Sequence, residues 1–216
     1  MSRQGIVRRG RRRLSGEGGF SLVELLVAMV IMIVILGAIY GIWFGLQRSY
    51  SFTNDDMTAQ EQARSALNEM VELIRTARQP DPAPSEALGL VIVAANANSL
   101  VVWTDSDRDS AHDLELVRFR VDTDARTLYR DDSQSGDPTF SGSTSVRLVG
   151  NWVSNSETKP LFSYVSANGS TLTVPVADPT QIRQVAINLS IDVFIDKAPI
   201  AHLLSSVVQP RNLRQY

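Results

Sequence analysis

A long apolar segment begins at Leu25, and the residues that follow it place apolar side chains on one side of a helical repeat. Residues Leu25–Leu46 form a run of 22 residues without a charge. As a helix this run would span about 33 Å, enough to cross a hydrocarbon layer of about 30 Å. A three- and four-residue spacing then predicts an amphipathic helix to about Arg78, with an interruption near residues 51–54 and prolines following its end. The predicted apolar positions of this second part are Met57, Ala63, Ala66, Leu67, Met70, Val71, Ile74 and Ala77.

Beyond these prolines the pattern changes to that of β-strands. Apolar and polar residues alternate over residues 114–121 and 185–192, as expected for strands with one buried face. Turn residues at 122–125 and 166–169 separate neighbouring segments. One long helix followed by many strands predicts an α+β fold, with the second half of the helix packed on a mainly antiparallel sheet. The predicted strands are Leu88–Ala95, Ser99–Thr104, Leu114–Val121, Arg126–Tyr129, Ser145–Val149, Leu161–Val165, Thr171–Val176 and Gln184–Phe194.

Charge is distributed unevenly along the chain. Six of the 21 Lys and Arg residues and one of the 23 Asp and Glu residues precede Phe20, which leaves 15 basic and 22 acidic side chains after it. A body with a net charge of −7 argues against nucleic acid as a partner. The leading arginines favour a cytoplasmic N-terminus under the positive-inside rule. The chain has no cysteine, which excludes disulfides, thiolate metal sites and a cysteine nucleophile.

Two other interpretations of the apolar run fit less well. A buried helix of a soluble protein usually keeps a polar stripe, and this run has none. A secretory signal has an apolar core of roughly 7 to 15 residues and a small-residue cleavage site on its far side. Here the run is longer, and the glycines that could mark a cleavage site precede it.

Those glycines begin the sequence Gly18-Gly19-Phe20-Ser21-Leu22-Val23-Glu24, which resembles the prepilin peptidase signature of type IV pilins and type II secretion pseudopilins. The resemblance implies cleavage between Gly19 and Phe20 by that membrane aspartic protease, followed by N-methylation of Phe20. It divides the chain into a cleaved leader (1–19), a transmembrane and assembly helix (20–46), an amphipathic continuation (47–79) and a β-rich head (80–216). It also implies an inner-membrane precursor with a periplasmic head that joins other pilins or pseudopilins through a membrane assembly platform.

Glu24 needs a physical explanation, because a carboxylate at the margin of an apolar span is costly unless it is paired or neutralised. Ser21 and Glu24 fit a capping box, in which the two residues satisfy each other's backbone N–H groups at a helix start. The family resemblance implies a second role, a salt bridge from Glu24 to the new N-terminal amine of Phe20 on a neighbouring subunit. The two roles are compatible, since one could serve the stored precursor and the other the filament.

Gly37, Gly41 and Gly45 recur every fourth residue and therefore share one face of the predicted membrane helix. Small residues at this spacing allow two helices to approach closely, which makes them candidates for helix packing. Their alternative explanation is that glycine is common in membrane helices.

The head offers one candidate metal site. Asp105, Asp107, Asp109 and Asp113 occupy positions 1, 3, 5 and 9 of a series that resembles a calcium-binding loop. The series lacks the glycine and the final glutamate of an EF-hand, so the alternative is a solvated acidic turn. No other cofactor is expected. His112 and His202 are far apart in sequence and lack the partners of a catalytic or metal site, and no catalytic motif is present, so we expect no enzymatic activity.

Short segments of the body resemble PilW-like minor pilins, in the order in which they occur. They predict a minor type IV pilin that primes, caps or decorates a pilus. A J-type pseudopilin of a type II secretion system is the alternative within the superfamily, and a membrane-tethered adhesin or enzyme is the alternative outside it. The segments that carry the resemblance are residues 59–64, 74–75, 128–130, 161–164, 182–187 and 208–213.

Overall fold

The computed structural model describes residues 19–83, 85, 88–107, 113–194 and 201–211 of the 216. Contacts divide the chain into two compact units, Met1–Ser51 and Phe52–Tyr216. A single helix, α1 (Leu22–Thr76), contributes its first part to one unit and its second part to the other.

In the first unit, all described side chains are exposed. The apolar run lies entirely within α1, and its large side chains are about half exposed or more. A helix that is apolar on every side and that no other described residue covers requires an apolar environment, which a membrane or neighbouring helices can supply.

The second unit contains the remainder of α1 and two antiparallel sheets. Five consecutive strands form one sheet in the order β1-β2-β3-β4-β5, and three form the other in the order β6-β7-β8. This confirms the predicted α+β architecture. The strands are β1 (Ile92–Ala95), β2 (Ser99–Thr104), β3 (Glu115–Asp122), β4 (Thr127–Ser133), β5 (Thr144–Val149), β6 (Phe162–Ser166), β7 (Ile182–Ile191) and β8 (His202–Val208), with a short 3-10 helix at Pro179–Gln181.

One core joins α1 to both sheets. The helix contributes a stripe of small residues followed by larger ones, at the three- and four-residue spacing that keeps them on one face. The sheets contribute large side chains such as Phe119, Phe162 and Tyr164, all fully buried. The buried helix residues are Ala59, Ala63, Ala66, Met70, Leu73 and Ile74.

Backbone and side-chain hydrogen bonds tie the second sheet to the first. The Tyr164 hydroxyl donates to the Asn96 carbonyl over 2.8 Å, and burial raises the pKa of Tyr164. The backbone N–H of Phe162 donates to the Ala97 carbonyl, and that of Val176 to the Ala95 carbonyl, both over 2.9 Å. The β1–β2 hairpin of the first sheet therefore holds β6 of the second sheet and the segment that follows β6.

The predicted helix was wrong in two details. No interruption occurs near residues 51–54, all of which are helical. Met57, predicted to be on the apolar stripe, is 66% exposed, and the stripe starts at Ala59. Thr76 ends the helix, with its hydroxyl donating to the carbonyls of Glu72 and Leu73.

Several observed strands differ from the predicted ones: β8 was not predicted, and β7 begins two residues earlier and ends three residues earlier than expected. The segment predicted as Leu88–Ala95 is a strand only from Ile92, because its first residues form a turn in which Leu88 accepts a 2.8 Å hydrogen bond from the Trp103 indole. Residues 171–176 are not a strand. Thr171 makes one isolated bridge to Val165, and Pro175 has no N–H to continue a ladder.

Strand β4 continues four residues past its predicted end because its charged residues find partners in the sheet. Asp131 is fully buried and accepts charge-assisted hydrogen bonds from Arg118 and Arg120 on β3. Burial alone would raise the pKa of Asp131, but hydrogen bonds from Arg120, Ser145 and Arg118 outweigh burial and lower it. On the opposite face, Arg130 pairs with Asp132 and with Glu69 of α1.

Replacing Met70 should test how much the helix–sheet core contributes to stability. We expect Met70→Ala to lower the free energy of unfolding by roughly 2–5 kcal/mol, because it removes a fully buried side chain and leaves a cavity. The measurement is urea denaturation of the full chain in detergent, followed by tryptophan fluorescence. Met57→Ala, on the same helix but exposed, is the matched control and should change stability little. Equal losses from both variants would contradict the assigned core.

Candidate functional site

The predicted processing site lies immediately before α1. Gly19 and Phe20 precede the helix, and Phe20 is 86% exposed. The Ser21 backbone N–H donates to Glu24 Oε2 over 3.1 Å, and the Glu24 backbone N–H donates to Ser21 Oγ over 3.2 Å. The Leu25 N–H donates to the Ser21 carbonyl over 3.2 Å, which closes the first helical turn.

This geometry is the capping box that the sequence predicts. Both hydrogen bonds are exposed to solvent. Each gives a partner to a backbone N–H, of Ser21 or of Glu24, that the helix itself leaves without one. The negative charge of Glu24 also lies in the first turn, where it interacts favourably with the helix dipole. Within the described residues no cationic side chain pairs with Glu24. The cap therefore leaves the carboxylate open to a charged partner outside these residues.

The cleavage junction and the glycine face are both open in this chain. A Cβ added at Gly19 would meet no atom within 4 Å. The same holds at Gly37, Gly41 and Gly45, so packing within the chain does not require glycine at these positions. Cleavage at Gly19, methylation of Phe20 and helix packing at the three glycines remain predictions. Gly18 and the arginines of the leader lie outside the described residues.

The acidic segment between β2 and β3 brings together a different set of carboxylates from the predicted one. One carboxylate oxygen from each of Asp105, Asp107 and Glu115 lies within 4.8 Å of the others. Asp113 does not belong to this group, and Asp109 lies outside the described residues. Three carboxylates at this separation could serve as oxygen ligands for calcium.

Glu115 was missed because the sequence shows it only as a polar position at the beginning of a strand. It starts β3 on the inward-facing side, is 4% exposed, and accepts a 2.7 Å hydrogen bond from the Ser106 backbone N–H. Burial raises the pKa of Glu115, and the charges of Asp107 and Asp105 raise it further, while the hydrogen bond from Ser106 acts in the opposite direction. The ionised carboxylate is therefore held in an unfavourable environment.

The two histidines do not form a site in the described part of the chain. His112 lies outside it. His202 on β8 has its Nε2 atom 3.0 Å from Asp56 Oδ1 and 3.2 Å from Gln60 Nε2, both on α1. Phe52, four residues before Asp56 on α1, stacks on Phe194, with ring centroids 4.2 Å apart. These contacts fasten the helix to β8 and to the residues that follow β7, which gives His202 the structural role expected of a histidine without catalytic or metal-binding partners.

Comparison with known proteins identifies the N-terminal segment. Residues 14–40 match the family model of the prokaryotic N-terminal methylation motif. No curated protein matches the chain. Among the described residues α1 is the one helix long and apolar enough to cross a membrane, judged by length and composition. The matched range includes the junction, the capping box and Gly37, and it ends before the segments on which the resemblance to minor pilins depends.

The acidic cluster generates a prediction about charge and calcium. We expect Glu115→Gln to raise stability at pH 7 by about 1 kcal/mol or less, because it removes a charge from a buried position and keeps an acceptor for Ser106. Because the pKa of Glu115 is raised in the folded chain, its ionised carboxylate destabilises the fold. This destabilisation reaches its full size at pH values above the raised pKa. The advantage of the variant should therefore disappear as the pH falls below the ordinary range for glutamate, about 4.3.

Thermal unfolding of the full chain in detergent, with and without calcium, measures both effects. If the three carboxylates bind calcium, the ion should raise the Tm of the native chain more than that of Glu115→Gln. Glu157→Gln is the matched control, because Glu157 is exposed and outside the cluster. An equal calcium response in all three proteins would exclude calcium binding by this cluster.

Proposed function

We propose that this chain acts as a minor pilin-like subunit, a role supported by its N-terminal methylation motif and by its α+β fold with one long N-terminal helix. In this role the precursor is held in the inner membrane by the first part of α1. Prepilin peptidase removes residues 1–19 and methylates Phe20, and the mature subunit joins or primes a filament. No catalytic activity is part of the proposal.

The observation that carries the proposal is the arrangement of the cleavage junction and the helix start. The glycine–phenylalanine junction is exposed, and the carboxylate of Glu24 lies one turn beyond it, without a cationic partner in the described chain. Cleavage would create an amine at Phe20, and a carboxylate near an apolar span favours such a partner strongly. The salt bridge would then couple processing to assembly.

Orientation and location follow from the same elements. The six arginines before the apolar run favour a cytoplasmic N-terminus, so the second unit would be periplasmic. After assembly the mature subunit would be part of a pilus. A J-type pseudopilin in a type II secretion system is the second candidate, because the matched motif is common to both kinds of filament. A membrane-tethered adhesin is the candidate of another class, since adhesion needs no recognisable motif.

Mass spectrometry of sheared surface filaments should test processing and membership together. We expect a mature chain that begins at Phe20 and carries one methyl group on its N-terminal amine. The control is a strain without prepilin peptidase, in which the arginine leader should stay attached. A chain with an intact leader in membranes that contain the peptidase would contradict the proposal. If the protein is absent from sheared pili and deletion of its gene abolishes secretion, the J-type pseudopilin is favoured over the minor pilin.

The two roles of Glu24 can be separated by a pair of variants. Glu24→Gln keeps a side chain that can complete a capping box but removes the charge, whereas Ser21→Ala removes a capping hydroxyl and keeps the charge. If the salt bridge drives assembly, Glu24→Gln should lower incorporation into filaments at least about tenfold, equivalent to about 1.4 kcal/mol. Ser21→Ala should be incorporated almost normally.

Quantitative immunoblotting of sheared filaments and membranes provides the measurement, and N-terminal sequencing confirms that both variants are cleaved. The reverse ranking, with Ser21→Ala defective and Glu24→Gln normal, would reduce Glu24 to a helix cap. Similar defects in both variants would mean that the helix start, and not the charge, limits assembly.

A further inference from the structure

Strand β8 (His202–Val208) forms one edge of the three-stranded sheet. It pairs with β7 over seven residues without a register shift. Within the described residues no strand pairs with its other side. An edge strand presents backbone donors and acceptors that another strand can use.

The usual protections against such pairing are missing from β8. Proteins protect exposed edges with lysine, proline, inward charges or bulges. The edges of the five-stranded sheet have such features: the β1 pairing shifts register between Ile92 and Ala94, and β5 carries an exposed Arg147 and pairs through another register shift. In contrast, β8 is regular and contains no Lys, Arg, Asp, Glu or Pro.

Two aliphatic side chains on β8 are exposed beside this edge. Leu203 is 65% exposed and Val207 is 61% exposed, and both point away from the core. The residues paired with Leu203, Ser205 and Val207 on β7 are Ser190, Asn188 and Ala186, so this face carries no ionisable side chain on either strand. A regular, uncharged edge with exposed aliphatic residues is typical of a strand that pairs with another chain.

We propose that β8 pairs in antiparallel fashion with β8 of a second copy of this chain, about a two-fold axis at Ser205. In this register Leu203 lies opposite Val207 of the second copy, and Val207 lies opposite Leu203. Cross-strand aliphatic pairs of this kind stabilise antiparallel sheets. The two three-stranded sheets become one six-stranded sheet, and the contact uses the same surface on both subunits.

The sequence of β8 favours a second copy as the occupant. Because residues 203 and 207 are equally distant from Ser205, the strand is complementary to itself. Moving the axis by one residue in either direction places Leu203 or Val207 opposite a serine. Residues 20–216 carry a net charge of −7, and a contact through the face of Leu203, Ser205 and Val207 brings no ionisable side chains of the two copies together.

This contact goes beyond the proposed filament role and depends on neither cleavage nor the Glu24 salt bridge. Its failure would leave the pilin proposal intact, and a failure of that proposal would leave the contact intact. The tests therefore use the full chain in membranes that lack prepilin peptidase.

Single cysteines test the register directly, because the chain has no native cysteine. Residues facing each other across an antiparallel pair have Cα atoms about 4.5–5.5 Å apart, within the range for a disulfide. With a mild oxidant, Ser205→Cys should give roughly tenfold more disulfide-linked homodimer than Ser170→Cys, an exposed serine in a turn of the same unit. Equal yields, or linkage of Ser205→Cys to a different protein, would overturn the proposal.

Charge variants in the Ser205→Cys background test the facing pairs. Leu203→Lys with Val207→Lys places like charges opposite each other and should abolish cross-linking. Leu203→Glu with Val207→Lys places opposite charges together and should restore it. Val146→Lys, on an edge strand of the other sheet, is the control and should have no effect. Unchanged urea unfolding of each variant shows that the fold is retained, and failure of the opposite-charge pair to restore cross-linking would overturn the register.

Discussion

The structure depends on one helix that has to satisfy two different environments. Over its first part α1 is apolar on every side, and no other described residue of the chain covers it. Exposing so much apolar surface to water is unfavourable, so this part is stable only where water is excluded. Over its second part the apolar residues narrow to a stripe that begins at Ala59 and reaches Ile74. The large side chains of both sheets meet that stripe, so the fold of the second unit is organised by the helix that also provides the anchor.

Much of this organisation could be predicted because it depends on local patterns. The amphipathic stripe and the alternating strands each bury one face, and burial of one face leaves a period in the sequence, whereas the apolar run is recognised by its length alone. The capping box could be predicted for the same reason, since Ser21 and Glu24 lie within one turn. The methylation motif is equally local.

The parts that could not be predicted depend on contacts between residues that are distant in sequence. The strand predicted to end at Tyr129 continues through charged residues as β4, because Asp131 is neutralised by arginines on β3 that only the fold brings close. Glu115 joined the acidic cluster because β3 turns it inward. Strand β8 was missed because its residues occur as pairs, two leucines, two serines and two valines, so neither face is uniformly polar. That irregular pattern reflects a strand with apolar residues on both faces.

The capping box has a consequence for how this chain can change over time. Every atom of the cap belongs to Ser21, Glu24 or Leu25, all on the mature side of the Gly19–Phe20 junction. A cut at this junction would therefore remove the six arginines and leave every described atom of the cap in place. The positive charge that favours a cytoplasmic N-terminus and the contacts that start the helix therefore lie on opposite sides of the junction. The arginines before Gly19 can vary in number and position without altering any atom of the described cap.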